Sequence, residues 1–101
     1  MEDCIPTAEA RAQAAREMPL FIAKNKDKEP VKLNYPDFHK KDYENGGKFE
    51  ALGLVFYILP YKRVIEPSGK TCKDNYAQFD DGKLEVFNSR TRLNTLIKRR
   101  R

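Results

Sequence analysis

The sequence has few of the residues from which metal centres, redox sites and disulfide scaffolds are built. It contains one histidine, two cysteines and no tryptophan. Cys4 and Cys72 are far apart, and neither belongs to a Cys-x-x-Cys pair. A secreted disulfide scaffold of this size usually has four or more cysteines, so we expect free thiols in a reducing compartment. The fold is therefore expected to need no disulfide, no metal and no cofactor.

Long hydrophobic runs are also missing. The longest, Ala51–Leu59, has nine residues, whereas a membrane-spanning helix needs about 20. Glu2, Asp3 and Glu9 near the N-terminus are unlike a secretory signal peptide or a mitochondrial presequence. The sequence therefore predicts an intracellular protein without a membrane span, and it does not identify the compartment.

The chain is short and polar, but it contains enough apolar residues to fold. Its 101 residues, of which 40% are hydrophobic and 35% charged, predict one small domain over residues 1–101. A chain of this size can bury one modest core. This apolar content is too high for a wholly disordered protein.

Positive charge is concentrated at one end of the chain. The net charge is +5, and residues 89–101 contain six basic residues and no acid. The remaining 14 basic and 15 acidic residues nearly cancel. A basic segment on a neutral body attracts phosphates, acidic proteins or anionic lipid headgroups. The six basic residues are Arg90, Arg92, Lys98, Arg99, Arg100 and Arg101.

The N-terminal part of the chain predicts one helix followed by a hairpin. Thr7 is a candidate N-cap for a helix that ends near Met18, before Pro19. Its predicted packing face consists of Ala8, Ala12 and Ala15, with Met18 and Ala14 beside them. We expect this face to pack on the protein's own sheet, and docking onto a partner is the alternative. Short strands are predicted at 20–23 and 31–35, joined by a charged turn.

The most apolar segment, Phe49–Leu59, is predicted to be a single strand buried on both faces. Val55 and its aromatic and β-branched neighbours favour a strand, and Pro60 ends it. A buried helix is the alternative, because the apolar residues also recur with helical spacing. Residues 61–65 then continue this strand or pair with it, and residues 67–69 form a turn.

The C-terminal part predicts a hairpin and a second helix. Asp80-Asp81-Gly82 between two alternating runs is a strong hairpin signal. Ser89 is a candidate N-cap for a short basic helix whose apolar stripe is Leu93, Leu96 and Ile97. The predicted fold class is therefore α+β, with an antiparallel sheet of about four to five strands, an N-terminal helix and a short basic C-terminal helix.

Aromatic residues alternate with lysines in the predicted loop at 35–47. In one interpretation the aromatic rings of this loop stack on bases while its lysines contact phosphates. In the other, the rings anchor the loop to the core. We favour anchoring, because Asp37, Asp42 and Glu44 repel a nucleic-acid backbone.

Residues suited to catalysis do not form a recognisable pattern. Gly69-Lys70-Thr71 lacks the first glycine of a phosphate-binding loop, since Val64 stands at that position. His39 has no nucleophile at an arguable spacing. With Asp37 and Asp42 it gives too few ligands for a zinc site. We therefore predict that the chain is not an enzyme and has no catalytic or metal-binding residues.

These observations favour a non-enzymatic accessory binding protein. In this hypothesis the basic C-terminal segment contacts nucleic acid, with RNA preferred, within a larger ribonucleoprotein-like assembly. The alternative is a protein–protein interaction module, such as a phage-encoded inhibitor or a subunit of a protein complex. There the tail meets an acidic protein surface or only aids solubility, and nucleic acid is not contacted.

Overall fold

The computed structural model describes residues 8–60, 62–65, 71–87 and 89–100. Thr7, Cys4 and the turn predicted at 67–69 lie outside them, so the N-cap, that turn and the state of the thiols stay predictions. The elements in chain order are α1 (Ala8–Asn25), β1 (Val31–Lys32), a 3-10 helix (Lys40–Asp42), β2 (Gly47–Ala51), β3 (Leu54–Ile58), β4 (Lys62–Ile65), β5 (Thr71–Gln78), β6 (Leu84–Phe87) and α2 (Arg90–Arg99).

The strands form one mixed and mostly antiparallel sheet between the two helices. Its order is β1-β2-β3-β5, and β4 and β6 both pair with β5. β1 runs parallel to β2, whereas the other pairs are antiparallel. The predicted α+β class, with a helix near each end of the chain, is therefore confirmed. No helix in the described part of the chain is long and apolar enough to cross a bilayer.

The segment predicted as one long strand is a hairpin instead. β2 and β3 pair from Gly47↔Ile58 to Ala51↔Leu54. Leu52 and Gly53 turn the chain with φ of 52° and 82°. Two successive positive φ angles make the tight turn that matches the twist of a hairpin. Gly53, in the middle of the apolar run, was the sequence signal for this turn. The prediction of a single strand and the alternative of a buried helix were therefore both wrong.

Helix α1 continues past Pro19, so the predicted strand at 20–23 was also wrong. The buried face of α1 begins at Ala14 and Met18, and the half-buried Phe21 and Ile22 extend it. These four residues follow the i, i+4, i+7, i+8 spacing of one helix face. The free energy gained by burying that face offsets the cost of the hydrogen bond that a proline inside a helix cannot make. Of the predicted packing face, Ala14 and Met18 are therefore buried, whereas Ala8, Ala12 and Ala15 are exposed.

Both faces of the sheet are covered, and each helix covers one of them. On one face α1 packs on Leu59, Tyr76 and their neighbours. The packing of this helix on the protein's own sheet is thus confirmed. The other face holds the larger core, in which α2 and the 33–43 segment cover the central strands. The fully buried residues of this core, with no exposed area, are Phe56, Ile58, Ala77, Leu93, Leu96 and Ile97.

The loop between β1 and β2 is anchored by its aromatic residues, as predicted. Phe38 and Tyr43 are buried, and their rings meet edge to face with centroids 5.8 Å apart. Lys40 and Lys41 are exposed. Base stacking on Phe38 or Tyr43 is thereby excluded, because both rings belong to the core.

We expect Phe56→Ala to lower the free energy of unfolding by about 3–5 kcal/mol, since a fully buried aromatic ring is removed and a cavity remains. The control is Val55→Ala on the same strand, where the residue is 37% exposed and a change within about 0.5 kcal/mol is expected. Urea unfolding of both variants measures the difference. Equal effects of the two changes contradict the assigned register.

We expect Pro19→Ala to stabilise the protein by up to about 3 kcal/mol, because alanine restores the missing hydrogen bond inside α1. Thermal and urea unfolding measure this gain. A loss of stability contradicts a continuous α1. It indicates that the chain turns at Pro19, where the rigid proline ring stabilises the fold by restricting the unfolded chain.

Candidate nucleic-acid interface

Helix α2 begins at the predicted cap and buries the predicted stripe. Ser89 is the N-cap, and its hydroxyl oxygen accepts a hydrogen bond from the backbone N–H of Arg92 at 3.2 Å. Leu93, Leu96 and Ile97 have no exposed area. Because these residues fix the inner face of α2, its basic residues lie on the flanks and the outer face.

The six basic residues proposed as a binding site do not share one environment. Arg92, Lys98 and Arg99 are exposed on α2. Arg90 is exposed, but it also donates a hydrogen bond to the chain before the 3-10 helix. Arg100 is largely buried, and Arg101 lies outside the described residues. Arg92, Lys98 and Arg99 thus have no side-chain partner among the described residues, whereas Arg90 and Arg100 have one.

Arg100 holds the C-terminal end of α2 against the β5–β6 hairpin. Its guanidinium lies 2.6 Å from the carboxylate of Glu85 and 3.0 Å from that of Asp81. The same group lies over the ring of Phe79, 4.3 Å from the centroid. With 11% of its side chain exposed, Arg100 is a structural residue. The sequence alone does not indicate this role, because the contacts join residues 15 and 19 positions apart in different elements.

The hairpin that Arg100 contacts has the predicted Asp-Asp-Gly turn. Gly82 has φ of 80° and donates its N–H to the carbonyl of Phe79 at 3.0 Å. The backbone N–H of Lys83 donates to the carboxylate of Asp81 at 3.0 Å. This hydrogen bond lowers the pKa of Asp81, and Arg100 lowers it further. Turn formation and ion pairing therefore account for Asp81 without acid–base chemistry.

Arg90 joins the first turn of α2 to the loop beneath it. Its guanidinium donates to the carbonyl of Phe38 at 3.2 Å. Its charge lowers the pKa of the neighbouring Tyr43, but burial and the charge of Glu44 outweigh it and raise that pKa. Arg90 therefore helps to position α2 while it remains partly open to solvent.

The three exposed cations form a surface that we call the α2 basic face: Arg92, Lys98 and Arg99. Arg92 and Arg99 are seven residues apart, which is two helical turns and about 10 Å. Residues 89–101 contain no acid to pair with them. Thr91 and Thr95 share the exposed side of the helix, and the Thr95 hydroxyl donates to the carbonyl of Thr91 at 3.0 Å. The face is thus polar and positively charged along its length.

A second feature is an open groove of about 390 Å³ beside β1. Val31, Leu33 and Phe38 form its apolar part, and Asp37 and Asp42 line it as well. His39 is exposed, and its backbone N–H donates to the carboxylate of Asp42 at 2.9 Å. No group of three metal-binding side chains occurs within the described ranges. The carboxylates make this groove unsuitable for phosphate, so the α2 basic face is the candidate interface.

We expect Arg100→Ala to lower the free energy of unfolding by about 1–2 kcal/mol, because the variant loses the contact with Phe79 and the charged hydrogen bond to Glu85. Arg99→Ala removes the same charge from an exposed position and is expected to change stability by less than about 0.5 kcal/mol. Urea unfolding compares the two variants. Equal stabilities contradict a structural role for Arg100.

The effect of Arg100 on stability is expected to depend on pH. A carboxyl group whose folded pKa is lowered stabilises the protein above its unfolded pKa, and this contribution disappears as pH falls through the folded value. The pKa of Asp81 is lowered from 3.8. The stability difference between the intact protein and Arg100→Ala should therefore be constant down to about pH 5 and shrink below about pH 4. Unfolding by denaturant across this range measures it, and a constant difference at every pH contradicts the pairing.

Comparisons with known proteins identify no relative. No family model matches the sequence, and neither a curated protein nor a solved structure is detectably similar to it. A role for this chain therefore follows only from the charge and geometry of its own residues.

Proposed function

We propose that this chain is a non-enzymatic accessory protein whose C-terminal helix binds the phosphate backbone of nucleic acid within a larger assembly. The α2 basic face is the observation that carries the proposal. Its cations are exposed and have no side-chain partner in the described part of the chain, while Arg100 at the end of the same helix is paired with acids. Arg92, Lys98 and Arg99 therefore form the binding surface, Arg90 lies at its edge, and Arg100 positions the helix.

The placement of charge along α2 favours an anionic partner. The positive end of a helix dipole lies at the N-terminus, where cations cost about 0.3–1 kcal/mol each. The first turn of α2 contains Arg90 and Arg92 and no acid. A phosphate group offsets this repulsion, since it accepts hydrogen bonds from arginine and carries the opposite charge.

The same surface suits the phosphates better than the bases. Base recognition needs donors and acceptors held in a fixed position at the base edges. The side chains of Arg92, Lys98 and Arg99 are long and exposed, and the other residues on this face are Thr91 and Thr95. Such side chains contact phosphate oxygens without a fixed geometry, and their contribution comes from the release of counterions. The proposed binding is therefore largely independent of sequence and sensitive to salt.

We expect the triple variant Arg92→Gln/Lys98→Gln/Arg99→Gln to bind nucleic acid more weakly than the intact protein. If each cation contacts one phosphate, the slope of log affinity against log salt falls in magnitude by about 2.7 for a duplex and by about 2 for a single strand. Filter binding or fluorescence anisotropy on RNA and DNA at several salt concentrations measures the slopes. Stability should change little, because the three residues are exposed.

The charge-matched control is Lys24→Gln/Lys26→Gln/Lys28→Gln. These lysines are exposed at the end of α1 and just after it. A smaller loss of slope in the control supports α2 as the interface. Equal slopes for both variants remove α2 from the mechanism. If the intact protein does not bind nucleic acid even at low salt, the proposal is wrong and a protein partner with an acidic surface is favoured.

A further inference from the structure

Strand β1 is an open edge of the sheet. Within the described residues it pairs on one side only, in parallel with β2. The backbone N–H of Leu33 donates to the carbonyl of Glu50 at 2.9 Å. Because the backbone groups of successive residues in a strand are directed to opposite sides, the N–H and C=O of Lys32 are directed away from β2. An edge with backbone groups in this orientation is a template for a further strand.

The groove beside β1 presents apolar surface next to this edge. Leu33 and Phe38 are buried in the core and form its floor. Val31 lies at its rim, and 57% of the area of this residue is exposed. A β-branched side chain on a strand is stabilised when a neighbouring strand packs against it. The edge and the groove therefore offer backbone hydrogen bonds and an apolar contact to one extended segment.

The groove carries negative charge that the described part of the chain does not neutralise. Asp37 and Asp42 line it, and both are exposed. The carboxylate of Asp42 accepts a hydrogen bond from the backbone N–H of His39. No cation of the described residues forms an ion pair with either aspartate. Lys32 also lines the groove, but it stands beside Glu50 in the register of β1 and β2. A positively charged ligand therefore complements this surface.

We propose that the groove beside β1 binds an extended basic segment of a partner protein. The segment adds a strand to the open edge through the backbone of Lys32, packs an apolar side chain on Val31, and directs a lysine or arginine to Asp37 and Asp42. Peptides that extend a sheet in this way gain affinity from main-chain hydrogen bonds and specificity from alternate side chains. The proposal goes beyond the function proposed for α2, and it stands on different residues.

The shape of the edge determines what the bound segment looks like. Alternate residues of a strand lie on one face, about 7 Å apart. Since the apolar and the acidic residues line the same groove, we expect apolar and basic residues at alternate positions of the segment. Strand β1 has two residues, and the chain turns directly after it, where the N–H of Tyr35 donates to the carbonyl of Leu33 at 2.9 Å. The added strand is therefore short, and its binding is weak and reversible.

Three other occupants fit this groove less well. A nucleic-acid backbone is repelled by the charges of Asp37 and Asp42. A helix uses its backbone groups in its own hydrogen bonds, so it leaves those of Lys32 unpaired. A second copy of the chain, paired antiparallel through β1 about a twofold axis, has two Lys32 residues opposite each other, and like charges at such positions are destabilising.

The probe is a labelled peptide with blocked termini in which lysine and valine alternate, and its control has glutamate in place of lysine. Fluorescence anisotropy at low salt measures their binding. We expect the lysine peptide to bind and the glutamate peptide not to bind. In NMR, hydrogen exchange at the amide of Lys32 should slow when the lysine peptide is added, because this N–H gains a partner.

One pair of variants tests the charge of the groove. Asp37→Asn/Asp42→Asn keeps an oxygen acceptor at both positions and removes the charges. It should bind the lysine peptide about fivefold more weakly than the intact protein. The matched control is Asp27→Asn/Asp80→Asn, which removes two exposed carboxylates outside the groove. The control should bind like the intact protein.

A second pair of variants tests the edge. Lys32→Pro removes the outward N–H and leaves the ladder with β2, since proline is tolerated at such a position of an edge strand. We expect it to lose peptide binding while the melting temperature changes little. Lys32→Gln keeps the N–H and removes a like charge, so it should bind at least as tightly as the intact protein. A lysine peptide with N-methyl groups on the edge that pairs with β1 makes the same test on the unaltered protein, and it should not bind.

Several results overturn this proposal. They are equal binding of the lysine and glutamate peptides, no binding of the lysine peptide at about 1 mM, an unchanged affinity of the Asp37/Asp42 variant, and full binding of the N-methylated peptide. A dimer that Lys32→Pro dissociates overturns it in favour of a second copy. If the intact protein binds the lysine peptide but no nucleic acid, only the function proposed for α2 is wrong. In the reverse case, only the proposal for the groove is wrong.

Discussion

The arrangement of this protein depends on the packing of α2 against one face of the sheet. Leu93, Leu96 and Ile97 are completely buried on the core that includes Phe56 and Phe79. A stripe at this spacing fixes the rotation of a helix about its axis, since any other rotation exposes a large aliphatic side chain. Because the apolar stripe faces the core, Arg92, Lys98 and Arg99 must face the solvent. The proposed interface is therefore a consequence of hydrophobic burial.

The contacts at the two ends of α2 prevent the helix from sliding along the sheet. Ser89 caps the first turn, and Arg90 holds that turn against the loop at Phe38. Arg100 holds the last turn against Glu85 and the ring of Phe79. Basic residues in one short segment thus have two roles. Those at the ends position the helix, and those between the ends remain open to solvent.

The C-terminal half of the fold was predictable because its signals are local. Asp-Asp-Gly at 80–82 and the cap at Ser89 act through hydrogen bonds between residues two or three positions apart. In the N-terminal half the end of α1 was mispredicted because distant packing decides it. Helix α1 continues past Pro19 because Phe21 and Ile22 pack against the sheet. The free energy of this burial does not enter a prediction from local helix propensity. The β2–β3 turn used Leu-Gly, which is a weaker signal than Asn-Gly or Asp-Gly.

For the candidate site, the composition located the basic segment, but it could not show which of its basic residues bind other side chains and which are exposed. The partners of Arg100 are 15 and 19 residues away in the sequence. Such pairings depend on how the sheet assembles, so only the structure separates the paired cations from the unengaged ones. The three exposed residues of α2, Arg92, Lys98 and Arg99, belong to the predicted set of six basic residues.

Mapping of backbone and arginine side-chain chemical shifts by NMR during titration with a short duplex tests the central claim most directly. We expect the largest changes on Arg92, Lys98 and Arg99, and little change on α1 and in the groove beside β1. Changes centred on α1 or on the groove at Asp37 and Asp42, or no change at low salt, contradict it.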